Sequence, residues 1–112
     1  MATGLMIELT YKASHFVSRL EHPVHSNPHY HTWHVVLRIK GNIDAHEVQE
    51  WMHKTAPHFG SHGDMGVEDI ADWWLEQSKG RWHKPDSPIR ILGVNVMRED
   101  GIGAFCDTIS DT

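Results

Sequence analysis

The sequence predicts an α+β fold: four strands and two helices in the order strand, strand, helix, helix, strand, strand. Three observations carry that prediction. Residues 5–16 and 29–40 alternate apolar and polar side chains with period two, as strands with one buried face do. Two stretches between 44 and 78 carry apolar residues at helical spacing. The last third alternates again around an Asp-Gly turn signal at 100–101. Helices gathered between two hairpins point to an antiparallel sheet with both helices on one face, rather than to a parallel α/β sheet.

Each element has a local reason. On the first strand Ile7, Leu9, Tyr11, Ala13 and His15 share one face, and Glu8, Thr10, Lys12 and Ser14 the other. On the second, His29, His31, Trp33, Val35, Leu37 and Ile39 share a face, Arg38 and Lys40 point away, and Gly41-Asn42 ends the run. Residues 17–28, with Pro23 and Pro28, read as the loop between them. Asp44 suits an N-cap, with Glu47 three residues on, and Val48, Trp51 and Met52 form the stripe of a helix that Pro57 closes. Residues 58–66 contain three glycines and read as loop. Val67, Ile70, Ala71 and Trp74 mark a second helix over 67–78, with Gly80 fitting the C′ position. A polar connection, 81–88, leads to a third strand over 89–99, on which Leu92, Val94 and Val96 alternate. Residues 102–106 form the return strand, and 109–112 read as a frayed tail.

The 112 residues fit a single domain, 1–112. Lys and Arg number 10 against 15 Asp and Glu, a formal charge of −5, the opposite of the basic balance of a nucleic-acid-binding module. No apolar run approaches the ~20 residues of a membrane-spanning helix. The first residues have no basic n-region and reach Glu8 before a signal h-region can form. A single cysteine, Cys106, excludes a disulfide framework and a cysteine-based zinc knuckle. The expectation is a cytoplasmic protein without nucleic-acid or membrane partners. The outlier is histidine, with 11 residues, more than lysine and arginine together.

Alternation puts three of these histidines in one place. His29 and His31, two apart on a strand, leave from the same apolar face, and His15 ends the first strand on its own apolar face. If the two strands pair antiparallel, the end of the first meets the start of the second and the three imidazoles converge. Three neutral imidazoles suit zinc and leave a fourth position open, as in catalytic rather than structural zinc sites. A lone histidine on such a face would read as a hydrogen-bonded core residue; the i, i+2 pair and the third ring change that reading. His34 points to the other face, His46 and His53 lie off the stripe of the first helix, and His83 lies in a polar loop. His22, His25, His58 and His62 fall in the two Gly/Pro-rich loops, where reactive groups concentrate.

Ala13-Ser14-His15-Phe16, followed by His29-Tyr30-His31-Thr32-Trp33, resembles the "AAHxL … HGHxY" pattern of the 6-pyruvoyltetrahydropterin synthase and 6-carboxytetrahydropterin synthase family. Val67–Trp74 is similar to that family's "PTSEnla.W" helix, and Val96–Asp100 to its "V.V.ET" strand end. The resemblance implies the tunnelling (T-) fold, in which sheets of several subunits join into a barrel, and hence a homo-oligomer, a trimer or hexamer, with active sites at subunit interfaces. It implies His15, His29 and His31 as zinc ligands and Glu99 as the anchor of a pterin ring, whose 2-amino-pyrimidinone edge offers a carboxylate two N–H donors.

The departures from the family are specific. The catalytic cysteine would lie four positions before the first histidine of the pair, and that position is His25. The "LDHxxLN" segment has no match in the shortened stretch 56–64, and Val67 stands where the family has threonine. By that resemblance the metal and ring-binding halves are retained and the acid–base half is rebuilt or lost. His25 then takes the cysteine's place, and His62 with Asp64 stands in for the family's His/Asp pair. The resulting expectation is a zinc-dependent lyase acting on the side chain of a reduced 6-substituted pterin. The alternative is a non-catalytic, zinc-holding module that binds a pterin or purine.

Overall fold

Both long alternating stretches form twelve-residue strands, β1 (Leu5–Phe16) and β2 (His29–Lys40), and they pair with each other in the computed structural model, which describes residues 3–108. The pairing is antiparallel and unbroken from Leu5 opposite Ile39 to His15 opposite His29. A 3₁₀ turn, Ser18–Leu20, opens the connection between them. Helix α1 (Ala45–Thr55) follows, then a short strand β3 (Ser61–Asp64), helix α2 (Val67–Trp82), and strands β4 (Arg90–Arg98) and β5 (Gly103–Asp107).

The strands form one sheet in the order β3-β1-β2-β4-β5. This corrects the expected four-stranded antiparallel sheet, because β3 adds a fifth strand, parallel to β1. Its sequence, Ser-His-Gly-Asp, has no apolar alternation to announce it. It is held instead by the chain on either side: Ser14 N–H donates to the Gly60 carbonyl (2.9 Å) and Phe59 N–H to the Lys12 carbonyl (2.7 Å). These bonds satisfy the open edge of β1, which would otherwise present unpaired backbone groups.

The buried residues of the sheet lie on the face that receives both helices. Ile7, Tyr11 and Ala13 of β1, Trp33, Val35, Leu37 and Ile39 of β2, and Ile91, Val94 and Val96 of β4 meet Val48 and Met52 of α1 and Ile70, Trp74 and Leu75 of α2. Helix α1 starts as expected, with the Asp44 carboxylate accepting from His46 N–H (2.9 Å). Helix α2 runs four residues beyond the expected end. Gly80 lies inside it, and Trp82 is buried one turn after Ser78, its ring edge-on to Trp51 with centroids 5.9 Å apart. Burial of that indole outweighs the ~1 kcal/mol by which a helical glycine is disfavoured.

The alternation on β4 is also corrected. A bulge falls where Arg38 pairs with Gly93 and Ile39 with Ile91, so Leu92 is passed over. Ile91 then joins the core, and Leu92 is 39% exposed. Among the described residues no helix is long and apolar enough to cross a membrane. The tail expected at 109–112 lies outside the described residues.

Candidate metal centre

The register that pairs β1 with β2 places His15 directly opposite His29. His31, two residues along β2, leaves from the same face. The ring centroids are 4.5 Å apart for His15 and His29, 5.1 Å for His15 and His31, and 4.9 Å for His29 and His31. One ligand nitrogen from each lies within 4.8 Å of the other two, and among the described residues no other group of His, Cys, Asp or Glu is so arranged.

The three rings are oriented by the same kind of bond. His15 Nδ1–H donates to the Met65 carbonyl (2.7 Å), His29 Nδ1–H to the Asn27 carbonyl (2.8 Å), and His31 Nδ1–H to both oxygens of Glu99 (2.9 and 3.1 Å). An unprotonated oxygen can only accept, so each contact assigns the proton to Nδ1 and leaves the lone pair on Nε2. The Nε2 atoms of His15 and His31 are buried and have no hydrogen-bond partner in the protein. A buried acceptor without a partner is uncommon and costly. Imidazoles fixed through one nitrogen, with the other nitrogen directed at a common point, are what a metal site requires. Burial pushes the His15 pKa below the ordinary imidazole value against the bond to the Met65 carbonyl, which works to raise it, and the charges of His29, His31 and Arg98 act with burial. The shift favours the neutral ring, the form that ligates.

Trp33 supports two of the ligands. It is 0% exposed, donates from Nε1–H to the Ala13 carbonyl (3.0 Å), and meets the His15 and His31 rings edge-on at 5.0 and 5.4 Å.

Glu99, expected at the pterin ring, is placed on His31. The turn after β4 brings it there: Arg98 N–H donates to the Ile102 carbonyl (2.8 Å), and Gly101, at φ 87°, closes the loop in the left-handed region that favours glycine. Partial burial works to raise the Glu99 pKa, but the hydrogen bonds from His31 and from backbone N–H groups prevail and hold it below the usual carboxylate value.

His25 reaches the rim of the cluster, its ring 6.3 Å from that of His29 and 4.4 Å from that of His22. Its backbone carbonyl accepts from Val17 N–H (2.6 Å), which ties the loop to the end of β1. Its pKa is lowered, first by desolvation and then by the neighbouring positive charges, His22 first among them. Cys106 lies elsewhere, on β5 opposite Val94 of β4, with its thiol toward Asp72 of α2.

His62 and Asp64 lie two residues apart on β3 but have separate partners. Trp74 Nε1–H donates to the Tyr11 hydroxyl (2.9 Å), and that hydroxyl donates to His62 Nε2 (2.6 Å). The Asp64 carboxylate accepts from the Ser18 hydroxyl and from Ser18 N–H (3.1 Å), and so caps the 3₁₀ turn. Burial, with a smaller contribution from His15, lowers the His62 pKa to about 4.

This shift makes a pH prediction with a definite sign. The folded His62 pKa lies below the unfolded value of about 6.5, so between pH 4 and 6.5 the unfolded chain binds the extra proton. The stabilisation is complete above pH 6.5 and is lost as the pH falls towards 4, with a limiting slope of about 1.4 kcal/mol per pH unit. Urea midpoints measured from pH 7 to 4.5 should fall more steeply in the wild type than in His62→Gln. Parallel curves would contradict the assignment.

Several parts of the site carry no residue-type signal, because the Met65 and Asn27 acceptors are backbone carbonyls. Arg98 did carry one: continuing the Val94, Val96 alternation puts a cation on the inner face beside the histidines. Comparison with known proteins gives no match, neither to a family model nor to a curated protein.

Proposed function

We propose that the protein is a zinc-dependent lyase acting on the side chain of a reduced 6-substituted pterin, related in type to 6-pyruvoyl- and 6-carboxytetrahydropterin synthases and built on the T-fold. The observation that carries the metal part is the pair of buried Nε2 atoms without partners in a cluster whose Nδ1 atoms are all engaged. The pterin part rests on the resemblance of 13–16, 29–33, 67–74 and 96–100 to that family.

Zinc bound by His15, His29 and His31 would supply Lewis-acid polarisation of a side-chain hydroxyl or carbonyl oxygen. The chain's own residues do the rest. His25, whose ring stands 6.3 Å from that of His29 and whose lowered pKa favours the unprotonated form, is our candidate to take a proton at the rim. Glu99 is 48% exposed, and a carboxylate has about four acceptor positions, so it can hold His31 and still accept from a ring edge. Phe105, 71% exposed, and Met97 help line a groove of about 520 Å³ with His34, Val36 and Asn95. Such apolar exposure supports a homo-oligomer, a trimer or hexamer, that covers it. The cytoplasm remains the proposed location.

The separation of His62 from Asp64 favours a second reading, a zinc-holding module that binds a pterin or purine without turnover. One experiment separates the two. Zinc-loaded protein, with a light-scattering mass of three or six chains, is offered a panel of reduced 6-substituted pterins. The enzyme reading expects one to be converted, and His25→Ala to slow that conversion by about 10²–10⁴-fold with zinc content unchanged. Binding without conversion establishes the module, and no binding at all removes the pterin.

A further inference from the structure

Arg98 occupies an unusual position for a cation. It ends β4 directly opposite Trp33, and so lies on the inner face and diagonal to His31. Its side chain is only 14% exposed. One nitrogen, Nη2, is paired with Asp100. Another, Nε–H, is buried and has no acceptor in the protein. A buried guanidinium N–H without an acceptor needs a reason, since leaving such a donor unpaired costs more than for a neutral group.

Its charge is felt at the metal centre, where, behind burial and the neighbouring histidines, it adds to the lowering of the pKa values of both His15 and His25. The carboxylates nearby are already engaged: Glu99 on His31, and Asp100 shared between Arg98 and Ile102 N–H (3.3 Å). Once a divalent ion joins three neutral imidazoles, these two carboxylates face a dication and a guanidinium, and one positive charge remains. A partly desolvated centre with one surplus positive charge and a free buried donor is complementary to a monoanion.

We propose that Arg98 forms an anion subsite beside the metal centre, and that the ligand of this site carries a carboxylate next to the group that approaches the metal. This rests on the metal-centre reading and narrows its substrate class to acids. The carboxylate takes the Nε–H of Arg98 while a neighbouring oxygen of the same ligand faces the three histidines. Glycolate has that pattern in its smallest form, and glycolamide is its neutral counterpart.

The test titrates both into the zinc-loaded full chain by calorimetry. The wild type should prefer glycolate. Arg98→Met should reduce that preference by about 10–100-fold, the range for a hydrogen bond to a charged group, with zinc content unchanged. Asp100→Asn removes the competing carboxylate and should tighten glycolate binding. An unchanged preference in Arg98→Met would overturn the subsite. If that variant does not fold, Asp100→Asn decides, and unchanged or weaker glycolate binding there overturns it. Inorganic phosphate bound more tightly than glycolate, and lost in the same variant, would overturn the assignment to a carboxylate. A wild type that takes up no zinc overturns the metal centre itself, whereas zinc uptake with no dependence on Arg98 overturns only this inference.

Discussion

Replacing His31 with alanine should abolish stoichiometric zinc binding. Two imidazoles would remain, and the ring that Glu99 holds in place would be gone. Catalytic zinc sites use three protein ligands, and loss of one leaves too few to retain the ion against a chelator. Glu99→Gln should act on the same quantity through a smaller step. The amide oxygen can still accept from His31 Nδ1–H, but without the charge that makes the ring a better donor of its lone pair. Partners of this kind change metal affinity by about 10–100-fold. Elemental analysis after dialysis against a graded chelator measures both. Stoichiometric zinc retained by His31→Ala would remove the centre. Equal affinity in Glu99→Gln and the wild type would return Glu99 to a role confined to the ligand ring.

Trp33→Ala should destabilise the protein by about 3–5 kcal/mol, the range for deleting a buried aromatic side chain. The indole is fully buried, and its removal takes away both the packing and the bond to the Ala13 carbonyl. Domains of this size have a total stability of about 5–15 kcal/mol, so the variant would lie near the limit of folding. It would also remove the surface against which His15 and His31 stand edge-on. Chemical denaturation of the zinc-free protein reads the first effect without interference from the ion. A loss below about 1 kcal/mol would mean that neighbouring side chains collapse into the space.

The parts of the fold that sequence made legible are those with strong periodicity. Eleven consecutive residue pairs join β1 to β2, and both strands carry their apolar residues on the expected faces. Convergence of His15, His29 and His31 follows from that pairing alone, because a one-residue slip would send His29 and His31 to the outer face. Where the physics is not periodic, the sequence is silent. Ser61–Asp64 becomes a strand because β1 has an open edge, not because those residues favour one. Leu92 leaves the core because a bulge shifts its side chain, and a bulge has no fixed residue signature here. Glu99 lies beyond the end of β4, where alternation no longer governs direction and the turn at Gly101 does. The link between Tyr11 and His62 spans 51 positions and needs the parallel edge strand to exist first.

The order in which the site's parts occur along the chain has a consequence for synthesis. The three ligands all come from the first hairpin, whereas two of the acceptors that fix them, the Met65 carbonyl and Glu99, come 34 and 68 positions after His31. A growing chain thus exposes its ligands while their rings still rotate. Capture of an ion at that point would staple the 17–28 loop and restrict the nascent hairpin before either helix has been made. The ion would then be held loosely and tightened twice, once when β3 and Met65 arrive and again when the last turn delivers Glu99. Zinc affinity should therefore rise in steps with chain length, and a chain ending before Glu99 should exchange its ion faster than the full one.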